Sequence, residues 1–117
     1  MIYKIKKPYL IAEIGGNHEG NLSYAKKLID LAAKSGVDCI KLQIYSERSL
    51  VNKNLDGDRY NHFKKFSLEL KHYLFLAKYI KKKKLDFSAS IWDPKLINIF
   101  KKYVSFYKIG SGDLTAF

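Results

Sequence analysis

Between Pro8 and Gly15-Gly16 lies a short apolar run, L-I-A-E-I over residues 10–14, broken only by the carboxylate of Glu13. An apolar run of this length, bounded by turn residues, reads as a strand buried on both faces, the habit of parallel sheets. Residues 37–45, 85–91 and 104–109 repeat the pattern, and segments of helical spacing separate them. Strand, helix, strand, helix, strand, helix, strand is the signature of an α/β chain with right-handed crossovers between parallel strands.

The helical segments carry their own start and stop signals. Asn21 is a good N-cap, and Ala25, Leu28, Ile29 and Ala32 recur on one face before Ser35-Gly36 ends the helix. Residues 46–66 break the pattern with Asn52, Asn54, Asp56, Gly57 and Asp58, which predicts a long loop. Ser67 is placed to cap the next helix, whose buried stripe is predicted as Leu70, Leu74, Ala77 and Ile80, closed by Lys81 to Lys84. Asp93-Pro94 pairs a cap with proline at the first helical position, and Leu96, Ile97 and Phe100 turn that helix inward.

Composition narrows the classes. The chain has 117 residues, 47% hydrophobic and 15% aromatic, which is enough for one small domain with a core. No apolar stretch approaches a membrane span and no signal-peptide core is visible. A lone cysteine, Cys39, excludes an internal disulfide framework and fits a reducing compartment, so a cytoplasmic location is expected. The net charge of +11 raises nucleic acid as a partner. The cations are nearly all scattered lysines, with only Arg48 and Arg59 as arginines, and no helix-turn-helix, zinc-finger or RNA-binding signature accompanies them. A solvated lysine surface is therefore expected, with neither nucleic acid nor membrane as partner.

Side-chain alternation assigns the strand faces. Ile40, Leu42 and Ile44 oppose Cys39, Lys41 and Gln43; Phe87, Ala89 and Ile91 oppose Ser88 and Ser90; Tyr107 and Ile109 oppose Phe106 and Lys108; Leu10, Ala12 and Ile14 oppose Ile11 and Glu13. Each strand has one apolar face and one bearing polar groups toward its C-terminal end. Lys41 and Lys108 are lysines in strands, where lysine is disfavoured. With Ser90, Ser111 and the backbone amides of the Gly110-Ser111-Gly112 turn, they suit an anionic ligand such as a phosphate or carboxylate. Glu13 is either their structural ion-pair partner or a contact to a neutral co-substrate. Asn17 and His18 follow the first strand, and His18 is either a hydrogen-bonded loop residue or a substrate contact. No histidine pair has metal spacing, and the glycines match no nucleotide-binding fingerprint.

I-A-E-I-G-G-N-H-E-G-N, C-I-K-L-Q-I-Y, F-S-A-S-I-W-D and Y-K-I-G-S-G-D-L-T together resemble, in order and spacing, the sialic acid synthase (N-acetylneuraminate synthase) family, from about Tyr9 to Phe117. The resemblance implies a TIM-type (β/α)8 barrel followed by an antifreeze-like domain. It implies a transferase of carbohydrate biosynthesis that joins phosphoenolpyruvate to N-acetylmannosamine or a related N-acetylated amino sugar. Lys41 and Lys108 then match the lysines that hold phosphoenolpyruvate, and Ser111 a serine of the same site. Ser90 stands where many members have threonine. Glu13 matches the acid beside both substrates, and Asn17, His18 and Gln43 belong to the substrate-binding mouth. One departure is S-I-W-D in place of the commoner T-P-F-D.

The resemblance also implies a divalent metal, Mn or Mg, whose ligands lie on later strands of the family barrel and not in this chain. A barrel needs roughly 200–250 residues, so residues 1–117 are expected to form its N-terminal half, about four strands and three helices, without the antifreeze-like domain. Such a half is expected as a homodimer or in association with the missing barrel half. The alternative is a phosphate or sugar-phosphate binding module without turnover.

Overall fold

The computed structural model describes residues 7–115; the last two residues of the family resemblance, 116 and 117, lie outside it. Four parallel strands, β1 (Ile11–Gly15), β2 (Cys39–Ile44), β3 (Asp86–Ile91) and β4 (Phe106–Tyr107), form one sheet in the order β1-β2-β3-β4. Crossovers run through α1 (Leu22–Lys34), then α2 (Glu47–Leu50), α3 (Gly57–Phe66) and α4 (Leu70–Lys82), then α5 (Pro94–Phe100). Among the described residues no helix is long and apolar enough to cross a membrane.

The predicted caps explain where two helices start. The Asn21 side chain accepts from the Tyr24 N–H at 2.8 Å, and the Asp93 side chain accepts from the Lys95 N–H at 3.0 Å with Pro94 next in line. Ser67 is different. It closes α3, its N–H donating to Phe63 and its hydroxyl to the Lys64 carbonyl, while α4 starts from Glu69 without a side-chain cap.

The expected loop over residues 46–66 is also corrected, because it contains α2 and α3. Asp56 accepts from the Arg59 N–H at 3.0 Å and so turns a polar, loop-like stretch into a helix start. Burial of Tyr60 then anchors that helix. The chain thus has five helices where three were expected.

One layer of core fills the space between sheet and helices. Ile40, Leu42, Ile44, Phe87 and Ala89 from the strands meet Ala25, Ile29, Leu76, Ala77, Ile80 and Phe100 from the helices, all fully buried. The stripe of α4 is rotated from the predicted one: Tyr73 and Leu76 face inward, while Leu70 is 38% exposed. Tyr73 can be buried because its hydroxyl accepts a hydrogen bond from the Leu68 N–H, so its polar tip is not stranded.

The opposite face of the sheet is closed at its lower end by Tyr9. Its hydroxyl donates to Asp86, its ring meets Phe106 edge-on at 6.4 Å, and Cys39 beneath it is fully buried. That hydrogen bond holds the Asp86 carboxyl below its ordinary range, and burial pushes the Cys39 thiol up. β4 is shorter than the predicted residues 104–109, although the Lys108 N–H still donates to the Ala89 carbonyl and prolongs the pairing by one residue.

Candidate functional site

Strand register decides which side chains can meet. Glu13 lies opposite Lys41, Lys41 opposite Ser88, and Gln43 opposite Ser90. These groups form two successive rows on the face away from the helices, nearest the C-terminal ends of the strands. In the lower row the Lys41 ammonium pairs directly with the Glu13 carboxylate. The Lys41 side chain is 8% exposed and that of Glu13 48%, so a buried cation is balanced by a carboxylate that reaches water. The pair that the strand pattern allowed is therefore formed. Ser88, buried beside it, donates to the Phe106 carbonyl at 2.9 Å and tethers β4.

The backbone makes room for this pair. The register slips between Glu13 and Gly15, and Gly15 has φ +56°. A Cβ there would sit 3.3 Å from the Glu13 carboxylate, so a side chain would crowd the acid as well as strain the turn.

Two clefts open above the rows. The first, of about 550 Å³, lies between β3, α5 and the turn after β4, and brings together Ser90, Trp92, Lys108, Gly110 and Asp113. Trp92 Nε1 donates to the Asp113 carboxylate at 2.9 Å, which folds the 110–113 turn back against the indole. Ser90 is 2% exposed, whereas Lys108 is exposed. Ser111 begins the 3-10 turn Ser111–Asp113, is exposed, and does not line this cleft.

The second cleft, of about 290 Å³, lies between the loop after β1 and α3, and is lined by Gly16, Asn17, Gln43, Tyr45, Phe63 and Phe66, with Glu19 and His62 at its edge. The Asn17 side chain donates to the Ile14 carbonyl at 2.9 Å, holding the loop turned over the end of β1.

His18 lies inside this loop and not at the mouth. It is fully buried, its Nδ1 accepts from the Gly20 N–H at 3.0 Å, and its ring meets Tyr73 edge-on at 6.3 Å. The proton is thereby assigned to Nε2, which has no partner among the described residues. Burial disfavours the imidazolium and lowers the pKa below the ordinary histidine range.

The aromatic wall of the second cleft escapes a reading by strand pattern, because it rides on α3. The signal was nonetheless present: Tyr60, Phe63 and Phe66 recur every third residue after the Asp56 cap. Among the described residues no three His, Cys, Asp or Glu converge where they could hold a metal ion. They do not fit the divalent metal that the resemblance implies, and no chemistry is routed through it.

Comparison with known proteins sets this geometry in a family. A model described as the NeuB family matches residues 28–117. Human N-acetylneuraminate-9-phosphate synthase is 34% identical over 122 residues, covering 93% of this chain and 34% of its own. N,N'-diacetyllegionaminic acid synthase of Campylobacter jejuni is 30% identical, covering 95% of this chain and 37% of its own. The solved structure of an N-acetylneuraminic acid synthetase from Leptospira borgpetersenii serovar Hardjo-bovis superposes with a TM-score of 0.80 at 33% identity, over 90% of this chain and 36% of that one. The chain thus spans about a third of the length of the curated relatives it matches. With four parallel strands that superpose on a sialic acid synthetase, this chain belongs to the NeuB family.

Proposed function

We propose that the chain supplies part of the site of a sialic acid-type synthase, a transferase that forms a carbon–carbon bond between phosphoenolpyruvate and N-acetylmannosamine or a related N-acetylated amino sugar. The observation that carries this reading is the cleft holding Lys108 and Ser90, one row above the buried Lys41–Glu13 pair, at the C-terminal ends of parallel strands. That end of a parallel α/β fold is where ligands bind.

In this reading Lys108 and Ser90 hold the anionic groups of phosphoenolpyruvate by charge-assisted hydrogen bonds. Lys41 adds positive potential from below while Glu13 holds its ammonium in place. The exposed edge of Glu13 remains available to the sugar, beside Gln43 and Asn17. Ser111 would join only if the 110–113 turn moved. His18, buried against Tyr73, positions the loop that carries Asn17. The rest of the site would come from a second copy or from further barrel strands meeting the edges of β1 and β4.

Titration of phosphoenolpyruvate against the fluorescence of Trp92, the one tryptophan of the chain, tests the assignment. Lys108→Ala should weaken binding by about 1.5–3 kcal/mol, the scale of a hydrogen bond to a charged group. Unchanged affinity in that variant would remove Lys108 from the site.

A further inference from the structure

We propose that the ring face of the amino sugar rests on the aromatic wall of Tyr45, Phe63 and Phe66, in a compartment separate from the anion cleft. This inference deepens the reading just given and rests on it. The two clefts differ in chemistry. The anion cleft contains Lys108, and its one carboxylate, Asp113, is engaged by the Trp92 indole. The other cleft offers the amides of Asn17 and Gln43 and the apolar rings, with the carboxylate of Glu19 at its edge. A negative charge there disfavours phosphoenolpyruvate, while amides beside aromatic faces suit a neutral polyol: hydroxyls and an acetamido group bond the amides, and ring C–H groups pack on the aromatics.

Geometry supports the division. Tyr45 is 5% exposed and touches both neighbours edge-on, Phe63 at 5.5 Å and Trp92 at 6.3 Å, so one row of rings runs from one cleft to the other. Gly16 keeps the sugar side open. A Cβ there would stand 3.9 Å from the Tyr45 hydroxyl and 4.0 Å from the Gln43 carbonyl oxygen, and any longer side chain would fill the cleft. Gln43 lies opposite Ser90 in the sheet, so the two compartments meet at a single row, where two co-substrates could approach one another.

The test uses the whole chain with N-acetylmannosamine and phosphoenolpyruvate as separate probes. Side-chain amide shifts of Asn17 and Gln43 report the sugar, and Trp92 fluorescence reports the anion. Phe63 lies outside the core and is only half-buried, so Phe63→Ala leaves the fold in place. It should weaken the sugar roughly three- to tenfold, the scale of one aromatic contact, with phosphoenolpyruvate affinity unchanged, and Phe63→Tyr should restore sugar binding. Unchanged sugar affinity in Phe63→Ala, with the anion still bound, would overturn the wall and leave the proposed function standing. Equal loss of both probes would also overturn it, since Phe63 would then act through the fold. A wild-type chain that binds neither probe would overturn the proposed function and this inference with it.

Discussion

Replacing Glu13 with Gln keeps the shape of the side chain and removes the charge that balances Lys41. Stripping one partner from a fully buried pair costs about 3–5 kcal/mol. Glu13 is half in water, so solvent replaces part of the loss and about 1–2 kcal/mol of destabilisation is expected in urea unfolding. Adding Lys41→Met should recover most of it, since the stranded cation is then gone. A second residue, His18, makes stability depend on pH. Its folded pKa lies below the ordinary 6.5, so on acidification the unfolded chain takes up the proton first. Its contribution is therefore complete above pH about 6.5 and falls as pH drops toward the folded value. His18→Gln should flatten that part of the profile of urea midpoint against pH; an unaltered slope would show that other groups set it.

At the scale of elements, the loop after β1 and the end of α3 interlock at Gly20. This residue has φ +72°, and a Cβ on it would come within 2.5 Å of the Lys65 carbonyl oxygen. Gly20→Ala should cost about 1–3 kcal/mol from the backbone alone, with more from the clash, visible as a lower thermal midpoint. Sequence alone could not show this contact, which joins residues distant along the chain. What it did show were features whose cause is local or periodic. The two-residue alternation gave the faces of β2 and β3 correctly, with Lys41, Gln43 and Ser90 on one side. Asn21 and Asp93 declared their helices through caps. The region of α2 and α3 was opaque because polar residues dominate it, and its aromatics do their packing against Tyr45 on a different element. His18 was ambiguous for the same reason: only the tertiary position of Tyr73 decides that it is buried.

Over the whole molecule, the sheet is finished on its helical side and unfinished at its edges. Leu10 and Ile11 by β1 and Phe106, Ile109 and Leu114 by β4 are 37–66% exposed, apolar groups beside strands that have one neighbour each among the described residues. Paired strand edges and covered apolar surface would satisfy both at once. The lower end of the sheet is already sealed by Tyr9, and this makes the protein its own stopwatch. Cys39 is the chain's one thiol and sits entirely behind that ring, so an alkylating reagent can reach it only when the seal swings away or the sheet comes apart. The rate of labelling in native buffer thus times an opening that leaves the helical layer intact. Tyr9→Ala should quicken labelling at least tenfold, the equivalent of about 1.4 kcal/mol less protection. Tyr9→Phe, which keeps the ring and loses only the bond to Asp86, should fall between the two. Labelling that is equally slow in all three chains would mean that Cys39 is guarded by global unfolding alone.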